Sequence, residues 1–160
     1  MNRGGALQPI IDFILELEKL KGVTRKVRPL GLDRYENSAE HSWQLALLAT
    51  SLERYAEAPV DIDRVIRMLL VHDIGEIDAG DVMVFTEGGW EDRKLSEAAA
   101  VRRIFGMLPE PQGPTFLSLW QEFEDAETPE ARFAHAVDRS MPVLLNLANS
   151  GAYEMNIMIL

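Results

Sequence analysis

Residues 62–76, IDRVIRMLLVHDIGE, run from the start of an amphipathic helix into a group of ligating side chains. Asp61 precedes them and is a residue type that caps helix starts, while the apolar positions follow at helical spacing. Three apolar residues lead directly into His72 and Asp73, so we expect this pair at the end of a buried helix. Gly75 indicates that the helix ends nearby. A ligand in such a place would be held rigidly, as metal sites require.

Acidic side chains crowd the residues that follow this helix, namely Asp73, Glu76, Asp78 and Asp81. A helix C-terminus is already partly negative, so carboxylates are poorly placed there unless a cation compensates them. If the helix continued, His72 and Glu76 would share one of its faces. The cluster therefore indicates a divalent cation site. The alternative, which the sequence leaves open, is an exposed acidic turn after a core helix.

Two further candidate ligands, His41 and Asp138, come from other predicted helices. His41 follows a helix start, and Asp138 lies on or near the apolar face of the last helix. A buried carboxylate without a partner is costly, so Asp138 needs one. The alternatives are a half-buried structural His41 and an ion pair of Asp138 with Arg102 or Arg139. His135, one turn before Asp138, is expected at the surface or behind the ligands.

The remaining periodicity predicts helices and no strand of useful length. The predicted helices cover about residues 9–20, 37–56, 61–73, 91–108, 116–123 and 128–149, with loops at 22–37, 79–91 and 109–114. Asn37 with Glu40 matches a capping box, and Thr128-Pro129-Glu130 is a strong helix start. We therefore expect residues 1–160 to form one all-α bundle of about six helices.

Composition limits the classes of partner. The chain has no cysteine, so a metal ion must be held by His, Asp and Glu. Its net charge of −10 would repel long DNA or RNA. No secretory signal is visible, and the longest uncharged run, 140–153, is too short to span a bilayer. We expect a cytoplasmic location and no membrane partner.

The order His41, His72-Asp73, Asp138 on three helices resembles that of the HD-domain metal-dependent phosphohydrolases. Further similarity is to the branch that contains the bacterial 5′-deoxynucleotidases, and it covers about residues 7–150. The segments that carry it are 36–42 (ENSAEHS), 72–76 (HDIGE), Gly80-Asp81, Lys94, Glu97, 120–124 (WQEFE) and 128–133 (TPEARF). Each motif is weak alone, but the set is specific.

The resemblance implies a single HD domain with a divalent ion (Mn, Co, Mg, Ni, Zn or Fe). It implies four ligands: His41, His72, Asp73 and Asp138. It also implies that Glu76 and Asp81 are catalytic or hold a second ion, and that Arg25 and Lys94 bind substrate. In the family a tryptophan usually follows this arginine closely, whereas Lys26 and Val27 occupy that stretch here.

The reaction that this resemblance implies is removal of phosphate from a (deoxy)nucleoside 5′-monophosphate by a metal-activated water. One alternative is an HD phosphohydrolase acting on a nucleoside triphosphate, a cyclic nucleotide or an alarmone. Another is a non-catalytic, metal-stabilised nucleotide-binding module, against which the presence of both Glu76 and Asp81 argues.

Assembly is the remaining expectation from sequence. The family usually continues after Asn149 through another loop and helix, so residues 151–160 are expected to be an atypical or truncated tail. This apolar tail could pack on a neighbouring subunit. Leu7, Ile10 and Ile14 could likewise serve a homodimer interface, or they could belong to the core.

Overall fold

The computed structural model describes residues 3–80 and 89–150. Within these residues the chain is all-α, with no named strand and six helices of ten residues or more, as the sequence predicts. The helices are α1 (Arg3–Leu17), α2 (Ser38–Leu52), α3 (Ile62–Val71), the one-turn α4 (Glu76–Ala79), α5 (Gly89–Phe105), α6 (Gln112–Asp125) and α7 (Pro129–Asn149). Among the described helices we find no candidate for a membrane-spanning segment.

Helix α3 lies at the centre of the bundle, where it packs against α2, α6 and α7. Val65, Met68 and Leu69 are fully buried, and their three- and four-residue spacing gives α3 one continuous apolar face. Leu45 of α2 and Val137 of α7 are buried in the same core. The C-terminal end of α3, which carries His72, is therefore surrounded by other helices.

Local capping chemistry fixes the helix starts where the sequence predicts them. Asn37 Oδ1 accepts a hydrogen bond from the Glu40 amide at 3.0 Å, and Glu40 Oε1 accepts one from the Asn37 amide at 2.8 Å. The carboxylate of Asp61 caps α3, and Thr128 Oγ1 caps α7, whose first residue is Pro129. The capping box at α2 also sets the position of His41, one turn further along.

Replacing Asn37 with alanine should lower the free energy of unfolding by about 1 kcal/mol, because the first turn of α2 loses a hydrogen-bond acceptor. Urea unfolding of the metal-free protein measures the change. Asn37→Asp is the matched control, since it keeps an acceptor oxygen and adds a charge that the helix N-terminus favours. Equal destabilisation in both variants would contradict a capping role.

The helix that carries His72 does not continue to Glu76, so the two residues do not share a helix face. Helix α3 ends at Val71, a turn follows, and Glu76 begins α4. Gly75 in this turn touches α5, since a Cβ at this position would lie 3.2 Å from the Glu97 carbonyl oxygen. Glycine at position 75 therefore lets α5 pack directly against the Glu76 segment.

The loop before α2 folds back on itself through an antiparallel bridge between Thr24 and Asn37. The amide of Arg25 donates to the Glu36 carbonyl at 2.8 Å, and the amide of Ser38 donates across the loop at 3.0 Å. Because the chain is extended here, alternate residues point to opposite sides. Glu36 and Ser38 are both buried, whereas Asn37 between them caps α2.

Some predicted boundaries and positions change with tertiary packing. Helix α6 begins at Gln112, inside the predicted proline-rich turn, and α5 ends at Phe105. Trp43 and Ile14, both in apolar patterns, are more than half exposed. Asp81, which the sequence suggests as catalytic, and the tail 151–160 lie outside the described residues.

Candidate metal centre

The structure brings together the four predicted ligands. One ligand atom each from His41, His72 and Asp73 lies within 4.8 Å of the others. Asp138 Oδ1 lies 2.9 Å from His41 Nε2 and 3.8 Å from His72 Nε2, and Asp73 Oδ1 lies 3.1 Å from His72 Nε2. Asp138 thus faces the two histidines, whereas the alternative from sequence paired it with Arg102 or Arg139.

The ring of His72 is oriented by the end of its own helix. Its Nδ1 lies 2.8 Å from the carbonyl oxygen of Leu69, which can only accept, so Nδ1 carries the proton of this hydrogen bond. Its Nε2 is buried and makes no hydrogen bond among the described residues, although it faces Asp73 and Asp138. A neutral imidazole in this tautomer presents the lone pair of Nε2, which is the form that binds a metal ion.

The carboxylates of the centre favour positive charge on the neighbouring histidines. Burial disfavours imidazolium at His72, but the Asp73 and Asp138 carboxylates outweigh it and raise the pKa of His72 to about 9. Burial also opposes charge on His41, yet contacts with Asp138 and Glu36 raise the pKa of His41. Burial disfavours the charged carboxylate, but contacts with both histidines hold the pKa of Asp138 well below its usual range.

These donors fit a divalent cation. Imidazole nitrogen suits Zn, Fe and Ni, and carboxylate oxygen suits Mg and Mn, so the mixed set restricts the metal only to borderline and hard ions. A cation among these groups would supply the positive charge that protonated histidines otherwise provide. His41, His72 and Asp73 could therefore hold a metal ion, with Asp138 adjacent to both histidines.

Glu36 is a charged residue of the centre that sequence reasoning missed. It is 1% exposed, and its Oε2 lies 3.2 Å from His41 Nδ1 and 3.7 Å from Arg25 Nε. Neither contact is a hydrogen bond. The contact with Arg25 joins opposite charges, and the contact with His41 does so when the imidazole is protonated. In sequence Glu36 belongs to a polar loop, which suggests a solvated side chain. The sequence signal that could have indicated its burial is its position two residues before Ser38, directly before a helix start, where alternate residues of an extended chain share one side.

Glu76 lies at the edge of the centre, where its side chain and its backbone amide both make hydrogen bonds. Ser38 Oγ, fully buried, donates to Glu76 Oε2 at 2.7 Å, and the amide of Glu76 donates to the Asp73 carbonyl at 3.0 Å. Glu76 as a whole residue is 5% exposed. The turn after α3 therefore places a buried acid beside the ligand segment, without the shared helix face considered from sequence.

The two predicted substrate-binding residues differ in position. Arg25 Nη1 donates to Asp73 Oδ2 at 2.6 Å, so this guanidinium lies against the carboxylate of a candidate ligand, with 17% of its side chain exposed. Lys94 is exposed on α5, one turn before Glu97, which borders Gly75. The described contacts thus place Arg25 at the centre, and they place Lys94 on the helix that passes alongside the Glu76 segment.

The third histidine supports the centre from behind, as the sequence suggests. His135 is half-buried, and its ring stacks on Phe123 with centroids 4.0 Å apart. Phe123 in turn packs on the ring of His72 at 5.0 Å. His135 Nε2 also lies 2.7 Å from the Phe123 carbonyl oxygen. His135 therefore fixes an aromatic side chain that packs on a candidate ligand.

Comparison with protein families finds that the model described as "HD domain" matches residues 17–159. Among curated proteins, the chain is 28% identical over 149 residues to the 5′-deoxynucleotidase HDDC2 of Xenopus laevis, covering 90% of this chain and 73% of that protein. It is 26% identical over 136 residues to the human protein of the same name, covering 82% of this chain and 65% of that protein.

Comparison with solved structures finds a predicted metal-dependent phosphohydrolase from Magnetospirillum magnetotacticum. It superposes with a TM-score of 0.85 and is 43% identical, over 94% of this chain and 76% of that chain. A protein from Pyrococcus horikoshii, 24% identical over 91% of this chain and 79% of that chain, superposes with a TM-score of 0.65. At that identity the second match supports the fold alone.

Proposed function

This chain belongs to the HD-domain family, and we propose that it removes the phosphate group from (deoxy)nucleoside 5′-monophosphates with the aid of a divalent metal ion. The observation that carries the proposal is the convergence of His41, His72, Asp73 and Asp138 beside the buried carboxylate of Glu76. The class of reaction agrees with the related structure described as a phosphohydrolase. The substrate agrees with the curated relatives named 5′-deoxynucleotidases.

The metal ion would be held by the two histidines and the two aspartates. When bound, such an ion supplies Lewis-acid polarisation of a phosphoryl oxygen and acidifies water. The four side chains come from α2, the end of α3 and α7, so the ion would also link these helices. Elemental analysis of the purified protein would identify the native metal. It would also show whether a second ion binds at Glu76 and Asp81.

Glu76 would act as the general base. A carboxylate that takes the proton of the attacking water contributes to turnover only if it is within hydrogen-bond reach of that water. The burial of Glu76 and its hydrogen bond from Ser38 give it one defined orientation at the edge of the centre. We assign Asp81 to positioning the same water or a second cation, which extends the sequence prediction.

Arg25 would neutralise the phosphate. A guanidinium carries five donors in a planar fork that matches the oxygens of a phosphate, and Arg25 lies against the carboxylate of Asp73. Lys94 is proposed as a second positive charge for the phosphate, on α5. Both assignments come from the family resemblance. The assignment of Arg25 is also supported by its position against the carboxylate of Asp73.

A panel of nucleotides should show faster phosphate release from monophosphates than from triphosphates or cyclic nucleotides, and from deoxyribonucleotides than from ribonucleotides. The described loops include no glycine-rich cradle for a triphosphate. Discrimination against a 2′-hydroxyl needs a wall that leaves it crowded or unpaired. The measurement is kcat/KM for matched substrates with Mn²⁺, Co²⁺, Mg²⁺, Ni²⁺ and Zn²⁺. Equal values for both sugars would leave a general nucleotidase, and faster triphosphate hydrolysis would contradict the proposed substrate.

Arg25→Ala refines this panel. If Arg25 binds the phosphate, KM should rise alike for deoxyribo- and ribonucleotides, because the lost contact does not involve the sugar. A changed ratio between the two sugars would instead place Arg25 in the sugar pocket. Arg28→Ala is the control, because Arg28 lies in the same loop and is exposed, pairing with Asp33 at 2.6 Å.

Location and assembly remain part of the proposal. We propose a cytoplasmic location on the basis of the sequence alone. A homodimer is supported by α1, which exposes Leu7, Ile11, Ile14 and Leu15 along its length. Light scattering of the purified protein would test the dimer. We also propose that residues 1–160 form a single domain, since the described helices share one core.

A further inference from the structure

Residues 36–38, which lead from the loop into the first residue of α2, contact two different parts of the centre. Glu36 lies against His41, Ser38 lies against Glu76, and Asn37 between them points away to cap α2. We propose that this segment positions the centre: Glu36 orients the imidazole of His41, and Ser38 orients the carboxylate of Glu76. Neither residue contacts substrate in this proposal. The part concerning Ser38 rests on the proposed role of Glu76.

The segment is fixed well enough to act as a positioning element. Its backbone is tied to the other side of the loop on both sides of the Thr24–Asn37 bridge. The Glu36 amide donates to the Val27 carbonyl at 2.8 Å, and its carbonyl accepts from the Arg25 amide at the same distance. The capping box then holds Asn37 to α2. Glu36 and Ser38 therefore have little freedom to move away from the centre.

Glu36 has the features of a carboxylate that orients a metal ligand. A histidine that binds a metal through one nitrogen generally presents its other nitrogen to a carboxylate, carbonyl or water. In His41, Nε2 faces Asp138 and Nδ1 faces Glu36 Oε2 at 3.2 Å. A buried charge is costly unless it is compensated, and Glu36 has His41 and Arg25 beside it. This placement keeps Nε2 directed at the other ligands.

Ser38 has the features of a group that orients an acid. Its hydroxyl donates to Glu76 Oε2 at 2.7 Å, and neither residue is accessible enough for bulk water to replace that bond readily. This hydrogen bond to Oε2 favours one orientation of the Glu76 carboxylate. A misplaced catalytic group can lose orders of magnitude in rate, so even one orienting hydrogen bond affects turnover.

The first test measures metal affinity without any substrate. Metal-free protein is titrated with Mn²⁺ in competition with a fluorescent chelator. Glu36→Gln, which keeps the shape and removes the charge, should weaken binding about 10- to 100-fold. Ser38→Ala should leave the affinity unchanged, and so should the exposed control Glu18→Gln. An unchanged affinity in Glu36→Gln would overturn the part of the proposal that concerns His41.

The second test measures turnover at saturating metal. Ser38→Ala should lower kcat about tenfold or more while KM stays the same, because orientation of the acid changes and substrate binding does not. Ser38→Thr should restore much of the rate. In a Glu76→Gln background, Ser38→Ala should cause no further loss, since both residues act as one unit. Independent, additive losses would overturn the part that concerns Glu76.

A crystal structure of Ser38→Ala separates this proposal from the proposed function. The carboxylate of Glu76 should occupy a different rotamer in the variant, and an unchanged carboxylate would overturn the positioning role. If the wild-type protein hydrolyses no nucleotide, the proposed function fails, yet the Mn²⁺ titration and this structure still decide both parts. Thermal unfolding of each variant shows whether it has folded before either result is interpreted.

Discussion

Replacing Asp138 with alanine is expected to abolish tight metal binding and to destabilise the metal-free protein by about 3 kcal/mol, because two buried imidazoles lose their shared counter-ion. Asp138 Oδ1 lies between His41 Nε2 and His72 Nε2, and the carboxylate is less than a third exposed. Elemental analysis of the purified variant and urea unfolding in the presence of a chelator measure the two effects.

The pH dependence of this destabilisation provides an internal check. In the wild type the pKa of His72 is raised to about 9, so its contribution to stability is present below its unfolded pKa and is lost as pH rises through about 9. Asp138→Ala removes one of the two carboxylates that raise the pKa of His72. The free energies of unfolding of the variant and the wild type should therefore differ more near pH 6 than near pH 9, because the pKa of histidine in the unfolded chain is about 6.5.

Asp125→Ala is the matched control for Asp138, since Asp125 is exposed and accepts one hydrogen bond from Gln121. It should change the unfolding free energy by less than about 0.5 kcal/mol and leave the metal content unchanged. If Asp138→Ala keeps a full equivalent of metal, Asp138 is not a ligand. If neither variant nor wild type contains or responds to a divalent ion, the metal centre itself is wrong.

Glu76→Ala is expected to reduce turnover about 10²- to 10⁴-fold while one equivalent of metal is retained, because general base catalysis is lost and the four ligands remain. Glu76→Gln should lose activity similarly while it keeps a side chain that can accept from Ser38. The measurements are kcat on the best nucleoside monophosphate and metal content by elemental analysis. Loss of a second equivalent of metal would make Glu76 a ligand.

Asp78→Asn controls for general disturbance of α4. Asp78 lies two residues after Glu76 and pairs with Arg103 through both oxygens at 2.7 Å, on an exposed side of the same one-turn helix. Its replacement should affect stability more than turnover. An unchanged rate in Glu76→Ala would remove this residue from the mechanism, and an equal rate loss in Asp78→Asn would indicate a disturbed helix.

Helix starts were predictable because the signals are local. Asn37, Asp61 and Thr128 each cap a helix through the third residue after the cap, and such a bond requires no tertiary contact. The exposure of Trp43 was not predictable, because an apolar residue on a helix is buried only if another element packs there. The end of α3 near Gly75 was predictable, because the glycine is itself a local signal for a helix end.

The candidate site follows the same division. His41, His72 and Asp138 are residue types that rarely lie on apolar helix faces without a partner, so the sequence itself marks them as candidates. Glu36 and Ser38 carry no such mark, since both residue types are common in solvated loops. Their burial results from the pairing of two parts of the loop and from contacts across 38 residues of sequence, as between Ser38 and Glu76.

The candidate ligand set joins distant parts of the chain, with 97 positions separating His41 from Asp138. These groups meet only when the bundle has folded, so an ion held by all of them binds the native state and hardly binds the unfolded chain. Free metal at 100 times its Kd would then add about 2.7 kcal/mol to stability. In a cell that degrades unfolded chains, the lifetime of this protein would follow the supply of its metal ion.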